Sequence, residues 1–182
     1  MKKSLLLVLV LASAFHTADA QFNRGRFLAG GSLGFSSQKT NDISNRSFSF
    51  QPNVGFFVVD NLAIGADLSI SVFSFEDGQT QSFSKTQSFS FDPFVRYYLK
   101  PGIFGEGSVG FGKGKIESDQ IGSSGDYSLF NWSLGVGYAW FLNDHVALEP
   151  VIRYENSKFE GRDFSTSGLA LQIGLQVYLG KR

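Results

Sequence analysis

Seven charged residues recur inside stretches whose neighbours are mostly apolar or small: Asp67, Asp92, Arg96, Glu106, Glu149, Arg153 and Glu155. A charge held away from water is costly unless it is paired. Such a set has two obvious uses. Arg96 and Arg153 can be bracketed by the carboxylates in a fixed ion-pair network, or the whole set can line a path for protons or ions. Catalysis is a third use, and the remaining inventory argues against it. The chain has two histidines, His16 and His145, and no cysteine. Thiolate, disulfide and zinc–thiolate chemistry are therefore unavailable, and a histidine-based nucleophilic apparatus has few residues to draw on.

Short motifs add nothing catalytic. Gly105-Glu106-Gly107-Ser108-Val109-Gly110 fits a dinucleotide-binding spacing, but two-residue alternation continues through it and no helix follows. Ser82-Phe83-Ser84-Lys85 has the S-x-x-K spacing without its companion motifs. Asn45-Arg46-Ser47 and Asn131-Trp132-Ser133 fit a glycosylation pattern, which is not a catalytic one. No catalytic residue, metal site or cofactor is expected.

The elements that position the charges alternate with a period of two, the period of a strand. In the last segment Leu169, Leu171, Ile173, Leu175, Val177 and Leu179 share one parity, and Gln172, Gly174, Gln176 and Tyr178 share the other. Similar alternation marks 48–58, 62–72, 89–99, 130–140 and 146–155. Two glycine-rich segments, around 26–37 and 103–116, complete a set of eight. Asp60-Asn61, Lys100-Pro101-Gly102 and Asn143-Asp144-His145 read as tight turns. Between them lie polar stretches, about 38–46, 77–87, 118–126 and 160–167, expected to be longer loops. Short turns at one end and longer loops at the other fit a barrel in an outer membrane.

The start of the chain reads as a leader. Met1-Lys2-Lys3 is basic, Ser4 to Ala14 is apolar, and Ala18-Asp19-Ala20 is an A-x-A cleavage pattern. The apolar run is too short for a membrane helix. Residues 1–20 are thus expected to be a signal peptide, with 21–182 one β-barrel domain. Removal of the leader takes His16 with it. It leaves 14 basic and 15 acidic residues, a net charge of −1. No basic patch points to nucleic acid.

Composition and volume decide what surrounds the barrel. There are 20 Phe, 6 Tyr and 21 Gly but only 4 Pro. An eight-stranded barrel is just wide enough inside for side chains to fill. The bulky parity cannot fit within it, whereas the parity of Gly, Ser, Ala, Asn and Gln with a few charges can. The bulky face must therefore point outward, into lipid. Phe130 and Trp140 are ten residues apart on that face, about 26 Å along the membrane normal for a roughly 40° tilt, close to the ≈ 25 Å apolar band. The expected fold is all-β: an eight-stranded antiparallel up-and-down transmembrane β-barrel. The seven charges then point inward. Lys113 and Lys115 fall on the outward parity of the fifth strand near its far end, where they could meet the phosphates of lipopolysaccharide.

Two segments carry a resemblance. Residues Asn53-Val54-Gly55-Phe56-Phe57-Val58-Val59-Asp60-Asn61-Leu62-Ala63-Ile64-Gly65 and Ala147-Leu148-Glu149-Pro150-Val151-Ile152-Arg153-Tyr154 resemble strand–turn–strand pieces of the outer membrane protein β-barrel domain family, the OmpX/OmpA-like small barrels. The resemblance implies export through the periplasm into the outer membrane. It also implies lipid and lipopolysaccharide as surroundings, and the barrel-insertion machinery as a partner during biogenesis. Members often end in an aromatic residue read by that machinery. Here the aromatic is Tyr178, four residues before Arg182. The resemblance is specific for architecture and weak for activity. The expected role is non-enzymatic, structural or surface-interactive, with the external ligand unspecified. A narrow conduit for small or hydrophobic solutes, as in OmpW-like barrels, is the alternative. A membrane-embedded lipid-modifying enzyme is a more distant one, because His145 falls in a periplasmic turn.

Overall fold

A computed structural model describes residues 22–99, 102–119, 124–160 and 165–180. The leader and its cleavage site lie outside these residues. Alternating side chains and a scarcity of proline let nearly the whole chain run extended. The strands are β1 (Phe27–Thr40), β2 (Ile43–Val59), β3 (Leu62–Asp77), β4 (Ser82–Tyr98), β5 (Ile103–Ser118), β6 (Gly125–Tyr138), β7 (Trp140–Phe141), β8 (Val146–Phe159) and β9 (Ser165–Leu179). Every pairing between neighbours is antiparallel.

The sheet closes on itself. Its order runs β6-β5-β4-β3-β2-β1-β9-β8-β7, and β6 also pairs with β8. The nine segments make eight walls, because β6 and β7 are one strand interrupted at Ala139. The Ala139 amide still follows the β5–β6 register, donating to the Gly102 carbonyl at 2.9 Å one step beyond Ile103↔Tyr138. Followed once around the ring, the rungs return to β1 ten residues further along. For eight strands at ordinary spacings that stagger sets a tilt of about 41°. The walls are not equally knit. The β1–β9 ladder runs only from Phe27↔Leu179 to Gly31↔Leu175, whereas the β1–β2 ladder continues to Thr40↔Ile43.

Two of the four stretches expected as long loops are mostly strand. β1 and β2 run through 38–46 and leave a turn at Asn41-Asp42, where Asn41 takes the left-handed conformation (φ 53°) that asparagine tolerates. β3 and β4 likewise shrink 77–87 to a turn at 78–81. At the other two sites the strands leave only 119–124 and 160–164 between them. Among the described residues, tight turns thus occur at both ends of the barrel. At the end that carries Phe22 and Leu179, Asn61 is again left-handed (φ 65°). There the Asn143 side chain accepts the amides of His145 and Val146, each at 2.9 Å.

The apolar surface is on the outside. Leu134 and Val136 are 61% and 62% exposed, and Phe27, Phe89, Tyr97, Trp132 and Trp140 share the outward face. The outward parity is apolar from Trp140 to Phe130 and turns polar at Ser128 and Asp126. At about 2.6 Å of height per residue, the ≈ 25 Å apolar band needs about ten residues per strand. β2 and β4 have 17, so the walls rise well past the band at the end away from the termini.

Candidate functional site

The inside of the barrel is stacked in three storeys. The lowest, at the end of the termini, is aromatic. Phe57, Tyr98, Phe104 and Tyr178 are fully or almost fully buried there, with Leu28. Phe22, which precedes β1, folds into this group. Its ring stacks on Tyr98 with centroids 4.2 Å apart, and its carbonyl accepts the Asn61 amide at 2.7 Å. Glycines opposite make room. A Cβ on Gly137 would come 2.4 Å from the Phe104 ring, and one on Gly65 would come 2.4 Å from the Phe94 ring. Arg26 is also buried here and donates to the Tyr178 carbonyl at 3.0 Å.

Above the aromatics lies the charged storey. Arg96 on β4 is 2% exposed. Its Nε and Nη2 both reach Glu106 Oε2 at 2.6 Å. Its Nη1 donates to Glu149 Oε2 at 2.8 Å and to the Tyr98 hydroxyl at 3.1 Å. Arg153 closes the other side, its Nη2 donating to Glu106 Oε1 at 2.6 Å. The Tyr178 hydroxyl donates to Glu149 Oε1 and lies 2.9 Å from the Tyr98 hydroxyl. One guanidinium thus bridges carboxylates from β5 and β8, and each carboxylate has a further donor. This is the arrangement in which buried charges are tolerated. Around Arg153 an amide layer continues the closure. Arg153 Nη1 donates to Gln172 Oε1 at 3.2 Å, and Gln172 in turn donates to Ser32 and Gln51. The space left among these groups is about 30 Å³, room for no more than a few water molecules.

The third storey is a polar cup of about 180 Å³ toward the far end, lined among others by Ser69, Ser90, Asp92, Ser108, Asn131 and Glu155. Asp92 sits here, apart from the arginines. It is held by neutral donors, Ser90 Oγ at 2.7 Å and Asn131 Nδ2 at 2.8 Å. Asp67 lies between the cup and the charged layer, within the fields of Glu106, Arg153 and Arg96 and bonded to Asn53. Glu155 is half-exposed at the mouth, 4.0 Å from Arg153.

Of the seven inward charges, the structure therefore brings Arg96, Glu106, Glu149 and Arg153 into one connected layer. It sets Glu155 and Asp67 at its margin and Asp92 apart. Alternation alone does not single out Phe22, Arg26, the tyrosine pair or the Gln51–Gln172 bridge. Tyr178 did carry a signal, as the one aromatic residue of β9 and on its inward parity, whereas Tyr98 shares its parity with Phe94 and Arg96. Lys113 and Lys115 stand on the outer wall, as their parity requires, and both are exposed. His145 lies in the 143–145 turn, where its carbonyl accepts the Tyr178 amide at 2.6 Å. Among the described residues no group of three or more acidic, histidine or cysteine side chains is placed to hold a metal ion.

A closed antiparallel barrel with an apolar outside and a polar, filled inside is the structure of a protein that crosses a membrane with strands. Residues 4–182 match the family described as outer membrane protein beta-barrel domain, and the chain belongs to that family. It is a protein of the cell outer membrane, reached after export through the periplasm. Among solved structures it resembles Ail, the attachment invasion locus protein of Yersinia pestis (15% identity, 86% of this chain and 99% of that one, TM-score 0.57). It also resembles the outer membrane protein OprG of Pseudomonas aeruginosa (12% identity, 87% and 98%, TM-score 0.51). These likenesses are of fold. No curated protein matches the chain in sequence.

Proposed function

We propose that the protein is a non-enzymatic barrel whose lumen is sealed and whose role is structural or surface-interactive. In this reading residues 1–20 are a cleaved export signal. The barrel-insertion machinery is a partner during assembly, and outer-membrane lipid with lipopolysaccharide surrounds the finished wall. The end carrying both termini faces the periplasm, the side from which the chain arrives, and the far end faces outward. The observation that supports the reading best is the layer of Arg96, Glu106, Glu149 and Arg153. It crosses the lumen and leaves about 30 Å³ among its members, over a floor of aromatic rings. The place of His145 in a periplasmic turn, remote from the outer leaflet, supports the absence of lipid-modifying chemistry.

The polar cup gives the conduit alternative its one favourable observation, since it is open toward the outside and lined by hydroxyls and carboxylates. A conduit would require the charged layer to part. Single-channel recording in planar bilayers separates the two readings. The sealed barrel gives no steady conductance above the bare bilayer. A stable, ohmic wild-type conductance would overturn the reading and favour the conduit.

A further inference from the structure

Two lysines on the outer wall stand out by their lack of partners. Lys113 on β5 and Lys158 on β8 flank β6, opposite Ser128 and Phe130 respectively. Sheet spacing puts their Cα atoms roughly 12 Å apart. Lys113 is ten residues above Ile103, and Lys158 ten above Leu148. Both ammonium groups therefore leave the wall about 26 Å above the lower apolar margin, where the lipid-facing band ends.

The row just beyond Lys113 is electrically self-contained. Lys115, expected to act with Lys113, lies 2.9 Å from Glu117 and pairs in the ladder with Asp126. The hydrogen bond and charge of this contact hold the Glu117 carboxyl below its ordinary range and the Lys115 ammonium above its own. Lys113 and Lys158 have no carboxylate within 4.0 Å among the described residues. Beneath them the wall is aromatic, with Phe111 and Phe130 packed at 5.4 Å between centroids. A groove of about 580 Å³ joins both lysines to these rings. A second, of about 770 Å³, runs on the other side of Lys113 over Ile70, Val72 and Phe89. Asp126 and Glu160 also border the grooves, further along their strands from the aromatic floor than Lys158 is.

We propose that this surface binds a phosphorylated, multiply acylated glycolipid of the outer leaflet, the class to which lipid A belongs. Lys113 and Lys158 hold its phosphate-bearing headgroup, and the grooves over Phe111, Phe130, Phe89 and Ile70 take its acyl chains. Two cations fixed where headgroup meets hydrocarbon, above apolar channels, match a ligand that is anionic at one end and greasy along the rest. The proposal rests on the outward orientation of the far end and is independent of whether the lumen is sealed.

The test uses the full chain refolded in phosphatidylcholine nanodiscs with a small fraction of bisphosphorylated lipid A. Lipid A retained per barrel is measured after detergent extraction and chromatography. The wild type retains it, and K113Q/K158Q loses about tenfold in retention, as expected for two cations at a lipid surface. K39Q/K85Q, elsewhere on the outer rim, retains it as the wild type does. Dephosphorylated lipid A is not retained, and millimolar inorganic phosphate does not displace the bound lipid. Failure of the wild type to retain lipid A, equal retention by K113Q/K158Q, or loss in K39Q/K85Q to the same extent overturns the proposal. So does equal retention of the dephosphorylated lipid, or displacement by free phosphate, which would point to a simple anion site.

Discussion

At the scale of single residues, Arg96 carries the most. From β4 it reaches both Glu106 on β5 and Glu149 on β8 across the lumen. Removing it leaves Glu149 without a cation and Glu106 with Arg153 alone, in a layer that water reaches poorly, so Arg96→Met should cost roughly 3–5 kcal/mol in urea unfolding from bilayers. Arg96→Met combined with Glu149→Gln should recover part of that loss. Glu106 then still has Arg153 at 2.6 Å, and no second bare carboxylate remains. Stability barely changed by Arg96→Met would mean the layer is already wet, as a conduit requires. Parity in the sequence was enough to place all seven charges inside. It could not say which carboxylate meets which guanidinium, because Arg96 and Glu149 are 53 residues apart and meet only through the stagger of non-adjacent strands. For the same reason Asp92 ended among neutral donors.

At the scale of elements, the strands were legible where lipid touches them and illegible beyond. Inside the band every second side chain must be apolar, and that alternation is visible from Leu62 to Val72 or from Phe89 to Leu99. Past the band both faces are wet, so Gln38-Lys39-Thr40 and Ser82 to Thr86 carry no such mark and read as loop although they are strand. The aromatic floor was obscured differently. Phe57 points inward on a parity of β2 that is otherwise small or polar, Tyr98 shares its parity with Phe94 and Arg96, and Phe22 lies before the first strand, where no period exists to be read. The β1–β9 seam supplies a prediction. Ser32–Thr40 and Ser165–Gly174 face each other beyond the last rung, Gly31↔Leu175, and hold their outer neighbours on one side only. Their amides should exchange with deuterium in bilayers sooner than those of β3 and β4, which are laddered from Leu62↔Tyr97 to Asp77↔Ser82. Equal protection on both sides of the barrel would show that the seam zips in the membrane.

At the scale of the whole molecule, height matters most. The β3–β4 hairpin continues seven residues past Val72 to Gln79, about 18 Å beyond the last lipid-facing aliphatic residue at the observed tilt. It is a laddered sheet tied down at its turn, where Asp77 Oδ1 accepts the Gln79 amide at 2.9 Å and Gln79 reaches Asp42 of the neighbouring hairpin at 3.1 Å. An epitope inserted at Asn41-Asp42 should be stained by antibody on intact cells. The same epitope between Asp60 and Asn61 should stay silent until the envelope is permeabilised. The reverse labelling would invert the orientation. A slack loop can lie down among the surface sugars and be lost to view, but a braced hairpin stands like a mast. In the proposed orientation, what antibodies and bacteriophages meet of this cell is set by a few serines and alternating charges near its tip. Those residues touch neither the lipid nor the charged layer within, so the masthead is free to change its colours while the hull beneath stays the same.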